Sequence, residues 1–136
     1  GPGNLWGLCA SGPPRERGGA RPHGWLAPGR LLILTNVDQD TAVRDLLQQV
    51  PADTIVAEPA KRDTAAAVAL GVAWVAARDH SATMIVLPAD HVIDDTAAFQ
   101  KTLRAAAAAA EETGALVTIG IKPTWAGPGY GYIEQG

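Results

Sequence analysis

The sequence predicts an α/β fold built on a mostly parallel sheet with helices on both faces. Short apolar runs alternate with longer segments of helical period, and the runs lack the polar alternation of strands with one solvated face. The runs are LLILT, TIVAEP, TMIVLPAD and ALVTIGI, starting at residues 31, 54, 83 and 115. Because strands that alternate with helices form βαβ units, we expect four parallel strands joined by right-handed crossovers.

Three helical segments separate these strands. The first, DTAVRDLLQQV, ends before Pro51 and carries four apolar residues on one face: Val43, Leu46, Leu47 and Val50. The second, RDTAAAVALGVAWVAARD, is apolar on nearly all sides, which predicts a buried helix. The third, DDTAAFQKTLRAAAAAAEET, has Asp or Thr available as its cap and Gly114 as its stop.

Residues 1–30 differ from the rest of the chain. They are crowded with Gly, Pro and Arg, and they show neither a helical nor a strand period. We therefore expect a leader at 1–30 that is disordered or non-native, followed by a single truncated domain at 31–136.

Composition narrows the class of function. A chain of 136 residues with 47% hydrophobic residues can bury one core. Its net charge of −3 gives no electrostatic case for binding nucleic acid or an anionic membrane, and no stretch approaches the roughly 18 apolar residues of a membrane span. The expected partners are therefore small molecules. The single cysteine, Cys9, cannot form an internal disulfide, so a cytoplasmic protein is expected.

Two polar clusters follow predicted strands. Asp90 and His91 end the strand in VLPADH, and the strand in AEPAKRDT is followed by a cluster that begins at Glu58 and continues with Lys61, Arg62, Asp63 and Thr64. Ligands bind parallel sheets at the carboxyl ends of the strands, where a carboxylate can hold Mg²⁺ and basic groups can meet phosphate. Glu58 could accept hydrogen bonds from a base or a sugar. The alternative for both clusters is structural, with Asp90 in a turn and Asp63 or Thr64 capping a helix.

A third cluster, GPGYGYIE, lies near the end of the chain. Its glycines allow close approach of backbone to a ligand, and Tyr130 and Tyr132 could flank a sugar. Glycine and tyrosine also make ordinary turns and strands, so this cluster alone decides nothing.

Five blocks together resemble the mannose-1-phosphate guanylyltransferases, sugar-nucleotide pyrophosphorylases that make GDP-mannose. In order, the blocks are ILTN, AEPAKRDTAAAVAL, MIVLPADHVIDD, LVTIGIKPT and GYGYIE, which span roughly residues 31–136. The resemblance implies a Rossmann-like nucleotidyltransferase fold that transfers GMP from GTP to mannose 1-phosphate and releases pyrophosphate. It implies GTP and mannose 1-phosphate as partners, and it leaves a homo-oligomer open.

The resemblance also implies roles for individual residues. Asp90 would be catalytic and would hold the essential Mg²⁺, with His91 supporting the site. The nucleotide pocket would include Glu58, Arg62, Asp63 and Thr64. The sugar site would be bordered by Gly131, Tyr132 and Glu134.

Several features depart from the family pattern. Residues 1–30 lack the family's first strand and its Gly-rich GGxGTRLWP-type loop, and a second metal-binding aspartate would lie beyond Gly136. Ala66 and Pro128 replace a usual proline and a usual threonine. We therefore expect impaired activity, and we expect marginal stability or association because an interior strand is missing. The alternatives are a non-catalytic nucleotide or sugar-nucleotide binding module, or a pyrophosphorylase with another base or sugar specificity.

Overall fold

The structure, a computed structural model, describes residues 5–10, 26–60, 63–88, 93–129 and 131–134. Within these residues it contains strands β1 (Leu5–Ala10), β2 (Leu31–Asn36), β3 (Ile55–Glu58) and β4 (Thr83–Pro88). The α-helices are α1 (Asp40–Leu46), α2 (Thr64–Ala76) and α3 (Thr96–Thr113), and short 3₁₀ turns cover Pro28–Arg30 and Ala52–Thr54. The strands form one parallel sheet in the order β3-β2-β1-β4.

Helices cover both faces of the sheet, as the sequence predicted. One face packs on α2 through a core of Trp6, Leu8, Leu32, Leu34, Ala67 and Val75. Because side chains alternate along a strand, the neighbouring positions point to the other face. That face packs on α1 through Leu31, Val43, Val50 and Ile55, and on α3 through Leu5, Leu26 and Ala107. The predicted α/β class with a parallel sheet is confirmed.

The expectation that residues 1–30 hold no regular structure is wrong for Leu5–Ala10. These residues form β1, which lies in the interior of the sheet between β2 and β4. LWGLCA is short and contains Gly7, so no period revealed it; pairing with a strand on each side determines it. Gly7 is closely packed, since a Cβ there would lie 2.9 Å from Leu26 Cδ1 and the leucine side chain would have to move. The interior of the sheet therefore does contain a strand at this position, and a missing interior strand is no longer a reason to expect marginal stability.

The fourth strand expected from ALVTIGI does not form. Residues 115–121 have no regular secondary structure, and each of them is exposed. Sequence propensity alone does not make a strand, because a strand needs a paired neighbour and a packed face. In the described chain no strand lies beside this segment.

The helices α1 and α2 are less buried than the sequence predicted. α1 ends at Leu46, which is half exposed instead of facing the core. α2 is buried on one side only, through Ala67, Gly71 and Val75, while Val72 is half exposed. The sheet covers one side of α2, and no described element covers the other.

The predicted ends of α3 are confirmed. The Asp95 carboxylate accepts a hydrogen bond from the Ala98 N–H at 2.9 Å and caps the amino end. Gly114 follows the helix with φ of 66°, a left-handed conformation that favours glycine.

Close contact between α2 and the sheet fixes the helix that leads into one of the polar clusters. A Cβ at Gly71 would lie 2.7 Å from Leu8 Cδ2, so a larger residue would force either the leucine side chain or the helix to move. Leu8 is itself almost fully buried. The amino end of α2 is therefore held at a defined height above the sheet.

Cations occupy the amino end of the sheet. The Arg30 guanidinium lies 5.1 Å from the centre of the Trp6 ring, and that of Arg78 lies 3.4 Å from the centre of the Trp74 ring. Arg30 also pairs with Asp79 at 3.6 Å. Hydrogen bonds from Ser81 lower the pKa of Asp79, and the Arg30 charge lowers it further. Both arginines are thus engaged at the end of the sheet opposite the predicted site.

No described helix is both long enough and apolar enough to cross a bilayer.

Replacing Leu8 with alanine tests whether β1 belongs to the folded core. Leu8 is 1% exposed, so we expect Leu8→Ala to lower the free energy of unfolding by about 2–5 kcal/mol through lost burial and a cavity. Urea denaturation followed by circular dichroism measures the change. The control Leu46→Ala, at a half-exposed position, should cost about 1 kcal/mol or less. Equal, small effects of both substitutions would contradict the placement of β1.

Candidate functional site

The carboxyl ends of the parallel strands gather polar residues at one edge of the sheet. Asn36 ends β2 and Glu58 ends β3, and the two residues are direct partners in the β2–β3 register. Asn36 is held in the turn that leads to α1, because its Oδ1 accepts a hydrogen bond from the Gln39 N–H at 3.0 Å. The edge therefore presents an amide and a carboxylate side by side.

Glu58 is the buried acidic group of this edge. It lies on the α2 face, because its register partner Asn36 is two positions beyond Leu34, which packs in the core under α2. Its exposed fraction is 9%, and among the described residues none donates a hydrogen bond or forms an ion pair with it. A buried carboxylate is stable only when donors or a cation satisfy it. Glu58 is therefore a largely buried carboxylate at the carboxyl end of β3, close in sequence to the residues that lead into α2.

The amino end of α2 lies five residues beyond Glu58. Asp63 occupies the cap position, yet its side chain makes no capping hydrogen bond, and only its backbone carbonyl accepts from the Ala66 N–H at 3.0 Å. Thr64, the first residue of the helix, is exposed. A side-chain cap was the structural alternative for this cluster, and Asp63 does not form one. Helix N–H groups that lack a side-chain cap are ready donors for an anion.

Five residues singled out in the sequence lie outside the described part of the chain. They are Lys61, Arg62, Asp90, His91 and Tyr130. β4 ends at Pro88, at the same edge of the sheet as Glu58, and Asp90 follows two residues later in the sequence. Among the described residues, no three His, Cys, Asp or Glu side chains come together in a group able to hold a metal ion. The roles predicted for these five residues stay predictions.

The third cluster forms a local turn. The Tyr132 hydroxyl accepts a hydrogen bond from the Gly127 N–H at 2.7 Å and donates one to the Gly127 carbonyl at 3.0 Å. Gly131 and Glu134 are exposed, and a Cβ at Gly131 would meet no atom within 4 Å. Tyr132 therefore fixes the turn through its hydroxyl while more than half of the residue remains exposed. No described hydrogen bond or ion pair connects this turn to Glu58.

Sequence reasoning overlooked Asn36 and Thr35. Asn36 was taken only as the end of a strand, although a polar residue at that position shares the edge with Glu58. Thr35 is 3% exposed, and its Oγ1 has no hydrogen-bond partner. It points to the face opposite Glu58, since adjacent residues of a strand alternate. No sequence pattern distinguishes such a threonine from an ordinary β-branched core residue.

These features place the chain in a class of known proteins. A family model described as nucleotidyl transferase matches residues 27–136. The chain belongs to the nucleotidyl transferase family, which agrees with an α/β sheet whose polar residues gather at the carboxyl edge.

Three individual relatives show which nucleotidyl transferases the chain is similar to. A mannose-1-phosphate guanylyltransferase of Sinorhizobium fredii is 46% identical over 113 residues, which cover 79% of this chain and 22% of that protein. A mannose-1-phosphate guanylyltransferase of Escherichia coli is 42% identical over 111 residues, which cover 77% of this chain and 23% of that protein. The xanthan biosynthesis protein XanB of Xanthomonas campestris is 43% identical over 107 residues, which cover 77% of this chain and 23% of that protein. The chain therefore spans a little over a fifth of the length of these relatives.

Two aspartates at helix amino ends provide a matched test of the capping geometry. Asp95→Ala should lower the free energy of unfolding by about 0.5–2 kcal/mol, because it removes the hydrogen bond to the Ala98 N–H. Asp63→Ala should change it by less than about 0.5 kcal/mol, because no capping hydrogen bond is lost. Thermal and urea denaturation compare the two variants. A loss at Asp63 as large as that at Asp95 would show that Asp63 caps α2.

Proposed function

We propose that this chain is the amino-terminal part of the catalytic domain of a mannose-1-phosphate guanylyltransferase. The reaction joins the phosphate of mannose 1-phosphate to the α-phosphorus of GTP and releases pyrophosphate. The names of the two guanylyltransferase relatives support this choice of substrates. The structural observation that carries it is the largely buried Glu58 carboxylate at the carboxyl end of β3, followed in the chain by the amino end of α2, which has no side-chain cap.

Glu58 is suited to a ligand that brings hydrogen-bond donors. Guanine carries ring and exocyclic N–H groups, and a ribose carries hydroxyl groups, so either satisfies a buried carboxylate. Asp63 and Thr64 follow at the α2 amino end, where backbone N–H groups favour an anionic phosphate. In this proposal Arg62 supplies a charge-assisted hydrogen bond to a phosphate oxygen. This group forms the nucleotide pocket.

The chemistry of the donor set fits Mg²⁺. Mg²⁺ usually takes one or two protein carboxylates and fills its other positions with water and substrate phosphates, so a cluster of three protein ligands is unnecessary. Asp90 is the carboxylate that would hold it, beyond the carboxyl end of β4. When bound, the ion would neutralise charge that develops on the phosphoryl oxygens.

The attacking group needs little activation by the protein. A sugar phosphate is already a nucleophile, so the residues of the site act mainly by positioning the two substrates for in-line attack. In the proposal Gly131, Tyr132 and Glu134 contact the sugar, with the Tyr132 ring fixed by its two hydrogen bonds to Gly127. We propose low activity, because residues 1–30 lack the Gly-rich phosphate loop of the family. The proposed compartment is the cytoplasm.

A charge-neutral substitution at Glu58 tests the nucleotide pocket. Glu58→Gln keeps the shape of the side chain but loses charge-assisted hydrogen bonds, each worth about 1.5–3 kcal/mol, so GTP binding should weaken at least about tenfold. Titration calorimetry with GTP and Mg²⁺ measures this change. The matched control is Glu111→Gln on the exposed surface of α3, which should bind GTP like the original chain.

The same titrations with ATP and UTP examine base specificity. A preference for either over GTP in the original chain would contradict the guanylyl assignment and favour a pyrophosphorylase of another specificity. Unchanged GTP binding by Glu58→Gln would remove Glu58 from the pocket.

Turnover tests the reaction itself. We expect slow, Mg²⁺-dependent release of pyrophosphate from GTP in the presence of mannose 1-phosphate, and we expect Asp90→Asn to abolish it by removing the metal ligand. A coupled pyrophosphate assay measures the rate, and Asp94→Asn on the exposed loop before α3 is the control. GTP binding without turnover in the original chain would identify a binding module instead of an enzyme.

A further inference from the structure

Asn36 and Glu58 place an amide and a carboxylate on one face of the sheet at its carboxyl edge. The two residues are direct partners in the parallel β2–β3 register, and neighbouring strands lie about 4.8 Å apart. Asn36 is on the α2 face, since it lies two positions beyond Leu34, which packs in the core under α2. Parallel sheets bind ligands at this edge, so one ligand can meet both side chains.

Local hydrogen bonds orient the Asn36 amide. Its Oδ1 accepts a hydrogen bond from the Gln39 backbone N–H at 3.0 Å, which ties the side chain to the turn before α1. Among the described residues, Nδ2 donates only to Gln39 Oε1, at 3.4 Å, near the outer limit of a hydrogen bond. An amide nitrogen carries two hydrogens, and this contact engages one of them. The amide oxygen therefore serves the turn, and Nδ2 is the donor that Asn36 can offer to a ligand.

Glu58 contributes acceptors to the same face. The residue is 9% exposed, and an ionised carboxylate has two oxygens that accept hydrogen bonds and no hydrogen to donate. In register, the pair thus presents a donor from Asn36 next to the acceptors of Glu58. A planar ligand complements this order when one of its acceptors lies next to two of its donors.

Guanine carries that order along one edge, whereas adenine does not. The guanine edge presents the O6 acceptor, then N1–H, then the N2 amino group. Adenine has an amino donor at C6 and an acceptor at N1, so it would set donor against the Asn36 amide and acceptor against the Glu58 carboxylate. A site built for hydrogen bonds rejects an analogue that leaves its polar groups unpaired. The pair therefore distinguishes the two purines.

We propose that Asn36 determines the base specificity of the site by donating a hydrogen bond from Nδ2 to guanine O6, while Glu58 accepts from N1–H and the N2 amino group. The inference rests on the proposed function, because it assigns contacts inside the proposed nucleotide pocket. Asn36 contacts the base and takes no part in phosphoryl transfer. Its effect is therefore on the choice of nucleotide, and the hydrogen bond from Gln39 positions it for that choice.

Asn36→Asp removes the donor and keeps the turn. An aspartate oxygen still accepts from the Gln39 N–H, but the side chain has no hydrogen for O6 and repels it. Titration calorimetry with Mg²⁺ and GTP, inosine triphosphate (ITP) or ATP measures three dissociation constants. ITP retains O6 and N1–H without the N2 amino group, and ATP lacks O6. We expect the preference for GTP over ATP to fall at least about tenfold, with the GTP-to-ITP ratio unchanged.

Three further variants separate the base contact from other effects. Gln49→Glu makes the same amide-to-carboxylate change at an exposed position after α1, and it should keep the preference for GTP over ATP. Asn36→Ser shortens the side chain without adding a charge, and it should lower that preference. Glu58→Gln should lower the GTP-to-ITP ratio, because Glu58 is assigned the N2 amino group. Urea denaturation confirms that each variant is folded.

The three nucleotides share their ribose and triphosphate, so the pattern of losses decides the outcome. Equal losses for GTP, ITP and ATP in Asn36→Asp would place Asn36 at the ribose or in a structural role, and would overturn the inference. An unchanged preference for GTP over ATP in that variant would overturn it as well. Both results leave the proposed function intact, since the original chain still binds GTP. No GTP binding by the original chain would overturn the proposed function and this inference together.

Discussion

The position of β1 between β2 and β4 is the constraint on which the other parts of the structure depend. Both of its neighbours pair with it in parallel, so it fixes the spacing and the direction of β2 and β4, and β3 follows through its pairing with β2. Leu8 extends this control to α2, because its side chain meets the helix where Gly71 leaves room. Without β1, the sheet would separate into the β2–β3 pair and β4 alone, and a two-stranded pair is marginally stable in water.

The parallel direction of the strands gives the two ends of the sheet different roles. At the amino end, Arg30 and Arg78 pack over tryptophan rings and close the surface. At the carboxyl end, Glu58 is buried without a described partner, and the α2 helix begins without a side-chain cap. The carboxyl end therefore presents an acidic group and helix N–H groups without a side-chain cap, whereas the described arginines of the amino end are engaged with tryptophan rings.

A third region of the surface is open for a different reason. The β4 edge lacks backbone partners among the described strands, and residues 115–121 lack a sheet to pack on. The groups involved are backbone N–H and C=O groups and apolar side chains, whereas the carboxyl edge presents charged and polar side chains.

The sequence could predict elements whose cause is local. The α3 ends at Asp95 and Gly114 follow from capping chemistry, and the runs at β2, β3 and β4 follow from apolar composition. The polar cluster at Glu58 was predictable because parallel strands direct their carboxyl ends to one edge. Burial of Glu58 and the unused side chain of Asp63 were not predictable, since each depends on which groups the fold brings near.

Two strands show the limit most clearly. ALVTIGI has strong strand propensity and forms no strand, whereas LWGLCA is interrupted by Gly7 and takes the central place. Propensity is a property of the residues themselves, but a strand is stable only through hydrogen bonds and packing supplied by distant parts of the chain. The α/β class and the polar residues that follow the strands can be read from the amino-acid order alone. Which apolar run is paired depends on neighbours far away in the sequence, so it becomes apparent only in the folded chain.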